Sequence, residues 1–136
     1  GWRVVVLGGP ADSVSADRIF ADIRIESMVG KAALLESAAL VGHADLVIGV
    51  DTGLTHMGWA FKVPTIALFG STCPYRDLGG LRGAVLYKNM TCSPCRRKPV
   101  CGGTYDCLAA LYPDSVIGSM AGLLRDKSVS GSVVAS

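Results

Sequence analysis

Leu46-Val47-Ile48-Gly49-Val50-Asp51-Thr52-Gly53-Leu54-Thr55-His56 carries the reading of the whole chain. The first five residues are apolar without alternation, which suits a strand covered on both faces, as in a parallel sheet. Asp51-Thr52-Gly53 breaks the run. Leu54 to Phe61 then reads as a short helix, and Val63-Pro64 punctuates its end. Thr65-Ile66-Ala67-Leu68-Phe69 is the next strand, closed by Gly70-Ser71-Thr72. Upstream, Arg3-Val4-Val5-Val6-Leu7 is a strand ending in Gly8-Gly9-Pro10. Ser15 to Ile23 reads as a helix with Ile19, Phe20 and Ile23 on one face. Ala32 to Val41 reads as a second, with Leu34, Leu35, Ala38 and Val41 inward. Ala84 to Tyr87 gives a last strand, and Pro113 sits in the first turn of a final helix running to about Leu124. From Ser128 onward the Ser-Val-Ser-Gly-Ser composition reads as a loose tail.

Strands alternating with helices predict an α/β domain, a Rossmann-like, doubly wound and mostly parallel sheet with right-handed crossovers. The pattern shows no internal repeat and no interdomain linker, so one domain is expected over residues 2–126, followed by a flexible tail over 127–136. In this architecture ligands bind outside the carboxyl ends of the strands. Three strands end there in glycine-rich turns: Gly8-Gly9-Pro10, Asp51-Thr52-Gly53 and Gly70-Ser71-Thr72.

Composition narrows the function classes. The chain has 136 residues, 50% of them apolar and 18% charged, which excludes an intrinsically disordered chain. The formal net charge is +2, and a nucleic-acid binder normally carries a clustered basic face, so no nucleic-acid partner is expected. The one dense basic run is Arg96-Arg97-Lys98, which reads either as a solvated loop or as a contact for an acidic partner such as a phosphorylated glycan. No apolar stretch approaches the roughly 20 residues of a membrane span, and no signal peptide precedes the first strand. Gly1 in place of methionine reads as a tagging scar or the start of an excised fragment.

The sharpest chemistry lies at Asp51 to His56. Backbone N–H groups at a helix start, with the positive end of the helix dipole, form an anion site. Gly53 lets a ligand approach the backbone closely, and Thr52 and Thr55 add hydroxyls. A carboxylate beside a phosphate would repel it, so Asp51 should face something neutral and rich in hydroxyls, such as a sugar. His56 is placed to donate to a phosphate oxygen or to a sugar. The plainer alternative is that Asp51 and Thr52 cap the helix while His56 packs on its face.

Gly70, Ser71 and Thr72 form a second candidate phosphate or sugar contact beside the first loop. Asp12, in the turn after the first strand, is a candidate for ribose hydroxyls or simply a turn acid. Neither a G-x-G-x-x-G nor a Walker sequence is present, and no Ser/His/Asp triad signature appears. His43 reads as a structural residue at a helix end. Cys92, Cys95, Cys101 and Cys107 share one loop, with Cys73 apart. Their spacing leaves open a tetrahedral metal site, free thiols, or disulfides in an oxidising compartment.

The chain resembles the family-9 glycosyltransferases, the ADP-heptose:lipopolysaccharide heptosyltransferases. Four stretches carry the likeness: Gly30-Lys31 through Leu40, Ala44 to Ile48, Asp51 to Met57, and Val63 to Thr72. The cysteine loop from Cys92 and the Pro113-Asp114 helix start also look like that family. The resemblance implies a GT-B architecture of two Rossmann-like domains, of which this chain would be most of the C-terminal, donor-binding half. It implies that the backbone at Thr52, Gly53 and Leu54 holds a diphosphate and that Asp51 holds heptose hydroxyls. Thr55 and His56 would line the same pocket, and Asp12 would contact ribose.

Two departures from the family pattern carry consequences. The acceptor-binding first domain, with its acidic catalytic base, has no counterpart in the chain, so no catalytic residue is assigned and the chain is expected to be inactive alone. The first strand of the donor domain, with its phosphate-binding lysine, is also missing. Removing a central strand would expose two sheet edges, which a homodimer would cover. By the resemblance, the partners are an ADP-sugar donor and, through the missing domain, a lipopolysaccharide acceptor. The implied location is the cytoplasm, with peripheral contact at the inner membrane. Neither a cofactor nor a metal is expected. The competing expectations are a stand-alone α/β binding module without transferase activity and a cysteine-loop metal module.

Overall fold

The computed structural model describes residues 1–75, 77–96, 98–125 and 132–135. In chain order the elements are β1 (Arg3–Val6), α1 (Ser13–Phe20), β2 (Glu26–Ser27), α2 (Leu34–Gly42), β3 (Leu46–Val50), α3 (Gly53–Ala60), β4 (Thr65–Phe69), β5 (Gly83–Tyr87), α4 (Asp106–Ala109), α5 (Pro113–Leu124) and β6 (Ser132–Ala135). The described strands form one sheet in the order β2-β1-β6-β3-β4-β5. Every strand pair in it is parallel. This is the Rossmann-like α/β fold that the continuous apolar runs predict.

Side-chain alternation along the strands builds the two layers. Val5, Leu7 and Val47 pack with Val41 of α2 and with Leu54 and Met57 of α3. Leu46, Ile66, Ile48 and Leu68 point the other way, onto Val116, Met120 and Leu123 of α5. Val6 shares that second face with Ala16 and Phe20 of α1. Val41, Leu46, Val47, Ile66 and Ala67 are each 0% exposed. Full burial of such a valine, leucine or isoleucine contributes about 1.5–3 kcal/mol, so the β3–β4 pair is the rigid base on which the Asp51 loop stands. α3 lies so close to this pair that a Cβ on Gly58 would stand 2.5 Å from Thr65 Oγ1 and 3.3 Å from Val47 Cβ.

The structure departs from the expectations in three places. Ser132–Ala135, within the stretch read as a loose tail, is a central strand of the sheet; residues 126–131 and 136 lie outside the described residues. Because β6 pairs with both β1 and β3, the two open edges expected at the centre of the sheet are covered from within the chain. That removes the reason for a dimer paired at those edges. Finally, the inward faces of the helices differ in part from the reading. Leu34 and Leu35 are 66% and 83% exposed, and Ile19 and Ile23 are 59% and 55% exposed; Val41 and Phe20 do face the sheet as read, joined by Leu40 of α2 and Ala16 of α1.

Candidate donor-binding site

The carboxyl ends of β1, β3 and β4 carry the three glycine-rich turns, and the turn after β3 stands between the other two. Two clefts flank it. On the β4 side, Val50, Asp51, Gly70, Ser71 and Thr72 line a pocket of about 440 Å³. On the β1 side, Gly8, Gly9, Asp12, Ile19, Phe20, Thr52 and Leu54 line a mainly apolar cleft of about 320 Å³. Of the sequence-selected residues, Asp51, Gly70, Ser71 and Thr72 line the first hollow and Asp12, Thr52 and Leu54 the second, while Gly53, Thr55 and His56 line neither.

The α3 terminus is open. Thr52 occupies the cap position with extended backbone, and its side chain makes no cap hydrogen bond. Of the plainer alternative, in which Asp51 and Thr52 cap the helix and His56 packs on its face, the Thr52 side-chain cap is not formed. A Cβ on Gly53 would meet nothing within 4 Å, so the first-turn backbone lies open to an approaching group. An anion there would meet the first-turn backbone of Gly53 and Leu54 and the positive end of the helix dipole.

Asp51 and His56 form one unit. His56 Nε2 lies 2.9 Å from Asp51 Oδ1. The two side chains are 39% and 19% exposed respectively, so the carboxylate is partly sheltered yet still borders the pocket. Its neighbours across the pocket are Ser71 and Thr72, a hydroxyl-rich wall suited to a polyol and unsuited to a second anion.

Thr55 departs from its expected role. It is 0% exposed, and its hydroxyl donates to the Val50 carbonyl at 2.6 Å. It braces the turn from inside and presents no hydroxyl to the pocket. The Asp12 carboxylate accepts from the Gly9 N–H at 2.9 Å, which closes the turn after β1 while leaving the residue on the wall of the second cleft. His43 Nδ1 lies 2.8 Å from the Ala39 carbonyl, the helix-end role read for it.

The cysteine loop folds against the Gly70-Ser71 turn. Ser71, Cys92, Cys95, Cys101, Cys107 and Leu108 share the lining of a cavity of about 250 Å³. All five cysteines are free thiols. Among the described residues no three His, Cys, Asp or Glu side chains are grouped so as to hold a metal ion, which leaves the metal-module expectation without a ligand set. The Cys101 thiol is held below its ordinary pKa by the backbone N–H of Tyr105, then that of Gly103. Of the basic run 96–98, Arg97 lies outside the described residues. Among the described residues no helix is long and apolar enough to cross a membrane.

Sequence reading missed Tyr75, whose hydroxyl lies 3.1 Å from His56 Nδ1. It also missed Ser93, whose buried hydroxyl donates to the Gly70 carbonyl. Pro74-Tyr75 sits in an irregular loop with no periodicity to read. The serine of Cys92-Ser93-Pro94-Cys95 was overshadowed by the flanking thiols.

Comparison with known proteins gives the chain a family and a fold. A profile of the family described as glycosyltransferase family 9 (heptosyltransferase) matches residues 1–105. Lipopolysaccharide heptosyltransferase 1 of Pseudomonas aeruginosa is 32% identical over 100 residues, covering 72% of this chain and 28% of that protein. Lipopolysaccharide heptosyltransferase 3 of Escherichia coli is 39% identical over 77 residues, covering 53% of this chain and 22% of that protein. Among solved structures, the glycosyl transferase family 9 protein of Veillonella parvula superposes with a TM-score of 0.72 at 26% identity, over 93% of this chain and 38% of that one. E. coli ADP-heptose lps heptosyltransferase II shares the fold with a TM-score of 0.76 at 20% identity, over 95% of this chain and 38% of that one. The chain thus spans 28% and 22% of the length of those two curated relatives, and the part it matches is C-terminal.

Proposed function

This chain belongs to glycosyltransferase family 9, the heptosyltransferases, and on that premise we propose that it forms the donor-binding half of a GT-B enzyme transferring heptose from ADP-heptose to a lipopolysaccharide acceptor. One observation carries the reading: an open helix start and a sheltered carboxylate stand side by side at the end of β3, with a hollow on each side.

The ligand divides among these places by its chemistry. The diphosphate lies at Thr52, Gly53 and Leu54, where backbone N–H groups and the α3 dipole meet its charge. The sugar lies in the Asp51 pocket, where the carboxylate and the Gly70-Ser71-Thr72 turn take hydroxyls. The nucleoside lies over the apolar cleft of the β1 side, with Asp12 toward the ribose. In transfer with inversion, a base from the acceptor-binding half takes the proton of an acceptor hydroxyl. The hydroxyl oxygen attacks the anomeric carbon and ADP departs. Donors fixed in place around the departing diphosphate stabilise the charge that develops on it.

Such an enzyme works at the cytoplasmic face of the inner membrane, where donor and acceptor meet. The residues of this chain hold the donor, and the acceptor-binding half of such an enzyme supplies the base.

Calorimetric titration of the chain with ADP and with ADP-heptose, at one stated salt concentration, tests this. Both should bind, the sugar form more tightly. No binding by a demonstrably folded chain would overturn the donor reading in favour of an α/β binding module without transferase chemistry.

A further inference from the structure

We propose that Tyr75 is a positioning residue of the Asp51 pocket: its hydroxyl holds His56 in one tautomer and one orientation, and His56 in turn holds the Asp51 carboxylate against the sugar. The sugar clause rests on the donor reading above; the hold on His56 stands on geometry alone.

The proton pattern follows from which atoms can donate. An ionised carboxylate only accepts, so the 2.9 Å contact between Asp51 Oδ1 and His56 Nε2 places the imidazole proton on Nε2. In the neutral ring Nδ1 is then an acceptor. The Tyr75 hydroxyl, 3.1 Å away, supplies the donor. The array reads O–H to Nδ1, then Nε2–H to Oδ1, and each bond polarises the next. His43 provides an internal contrast. Its Nδ1 faces the Ala39 carbonyl at 2.8 Å, and a carbonyl only accepts, so His43 carries its proton on Nδ1, opposite to His56.

The tyrosine is itself held. Its ring meets Trp59 edge-on at 5.3 Å, Phe69 at 5.5 Å and His56 at 5.7 Å between centroids. Such edge-to-face contacts fix a ring's direction as well as its place. Trp59 and Phe69 are 6% and 2% exposed, so the clamp is rooted in the core of α3 and β4. The hydroxyl therefore arrives at Nδ1 from a fixed point, while the His56 side chain, 39% exposed, would otherwise exchange partners with water. A carboxylate aimed by a supported partner holds its lone pairs in a constant direction, which is what recognition of sugar hydroxyls requires.

Tyr75→Phe removes the hydroxyl and keeps the ring clamp. In the ¹⁵N-labelled chain at about pH 8, above the ordinary imidazole range, long-range ¹H–¹⁵N correlation should show His56 protonated on Nε2 and His43 on Nδ1. In Tyr75→Phe the His56 nitrogens should move toward averaged values while those of His43 stay put. ADP-heptose affinity should fall about two- to tenfold, the effect of one hydrogen bond, with ADP affinity unchanged. An unaltered His56 pattern in the variant would overturn the proposal. So would a shifted pattern with an equal loss for both ligands, or with no loss for either. If the unsubstituted chain binds neither ligand, the donor reading fails, and the His56 pattern then decides the positioning role by itself.

Discussion

The Ser93 hydroxyl donates to the Gly70 carbonyl, tying the cysteine loop to the turn that walls the Asp51 pocket. Two further contacts support the tie. Cys95 Sγ lies 3.9 Å from the Ser71 carbonyl, and a Cβ on Gly70 would stand 3.0 Å from Cys107 Sγ and 2.7 Å from Leu108 Cγ. The loop that looked like a metal module in the sequence is, in the fold, the backing of the pocket wall.

Gly70→Ala should therefore be costly although the residue lies in the turn just after β4. The new methyl meets the branch carbon of Leu108 and the sulfur of Cys107, both in or beside a short helix, and overpacking of this kind costs about 1–3 kcal/mol. Ser93→Ala should cost a similar amount, about 1–3 kcal/mol, because it leaves a buried carbonyl unpaired. Urea unfolding of both variants checks this. Stabilities equal to that of the unsubstituted chain would mean that the loop does not brace the turn.

Gly58 and Gly53 lie in the same helix and should respond oppositely to alanine. At Gly58 the methyl would stand 2.5 Å from Thr65 Oγ1, and that hydroxyl is already engaged with the Val63 carbonyl; a loss of about 1–3 kcal/mol is expected. At Gly53 the methyl meets nothing within 4 Å, and alanine is the better helix former by about 1 kcal/mol. Gly53→Ala should keep or raise stability while weakening ADP about tenfold, if a lost contact is worth about 1.4 kcal/mol. A Gly53→Ala chain that binds ADP as well as the unsubstituted chain would move the diphosphate away from this turn.

Much of this was legible in the sequence, and what was hidden has physical causes. Leu46 to Val50 and Thr65 to Phe69 are unbroken apolar runs because parallel strands are covered on both faces. The Asp51 turn stood out because a carboxylate at an anion-binding helix start is an electrostatic anomaly. Leu34 and Leu35 misled because spacing finds an apolar face without showing where the sheet ends. Thr55 misled because a threonine spends its hydroxyl inward when a carbonyl such as that of Val50 lies within reach. Ser132–Ala135 escaped notice because four residues after a run of serines and glycine carry no period of their own. Only the gap between β1 and β3 gives them a place.

That placement makes a sharp prediction. β6 bonds to β1 and β3 along its length, and its Ala135 carbonyl accepts from the Leu7 N–H at 2.8 Å. A proline at Val134, which is in register with Val5 and Val47, removes a ladder donor in the middle of a sheet, where proline is not tolerated. Val134→Pro should cost about 3 kcal/mol or more, and amide exchange should rise in β1 and β3 before it rises in β4 and β5. A variant with unchanged unfolding and exchange would show that the sheet closes without β6.

Asp51→Ala should separate the two ligands. The carboxylate lines the hollow with Gly70, Ser71 and Thr72 in which the proposed function seats the sugar, so ADP-heptose should lose affinity by about tenfold or more, as for a hydrogen bond to a charged group. ADP should bind as before or slightly better, since a negative charge near the diphosphate is gone. Equal losses for both ligands in calorimetry would place Asp51 in a purely structural role.

Cys101 gives a pH prediction with a definite sign. The N–H groups of Tyr105 and Gly103 point at its sulfur and favour the charged form, so the thiol ionises below its ordinary value of 9.0. The thiolate is the species that reacts with an alkylating reagent. As the pH is lowered from 9, Cys101 in the folded chain should therefore keep its reactivity longer than in the urea-unfolded chain, where those amides are dispersed. Iodoacetamide labelling read peptide by peptide in a mass spectrometer follows Cys101 separately from Cys92 and Cys95. The rate–pH midpoint for Cys101 should be lower in the folded chain. Coincident midpoints would mean that the turn from Gly102 to Tyr105 does not hold its amides on the sulfur.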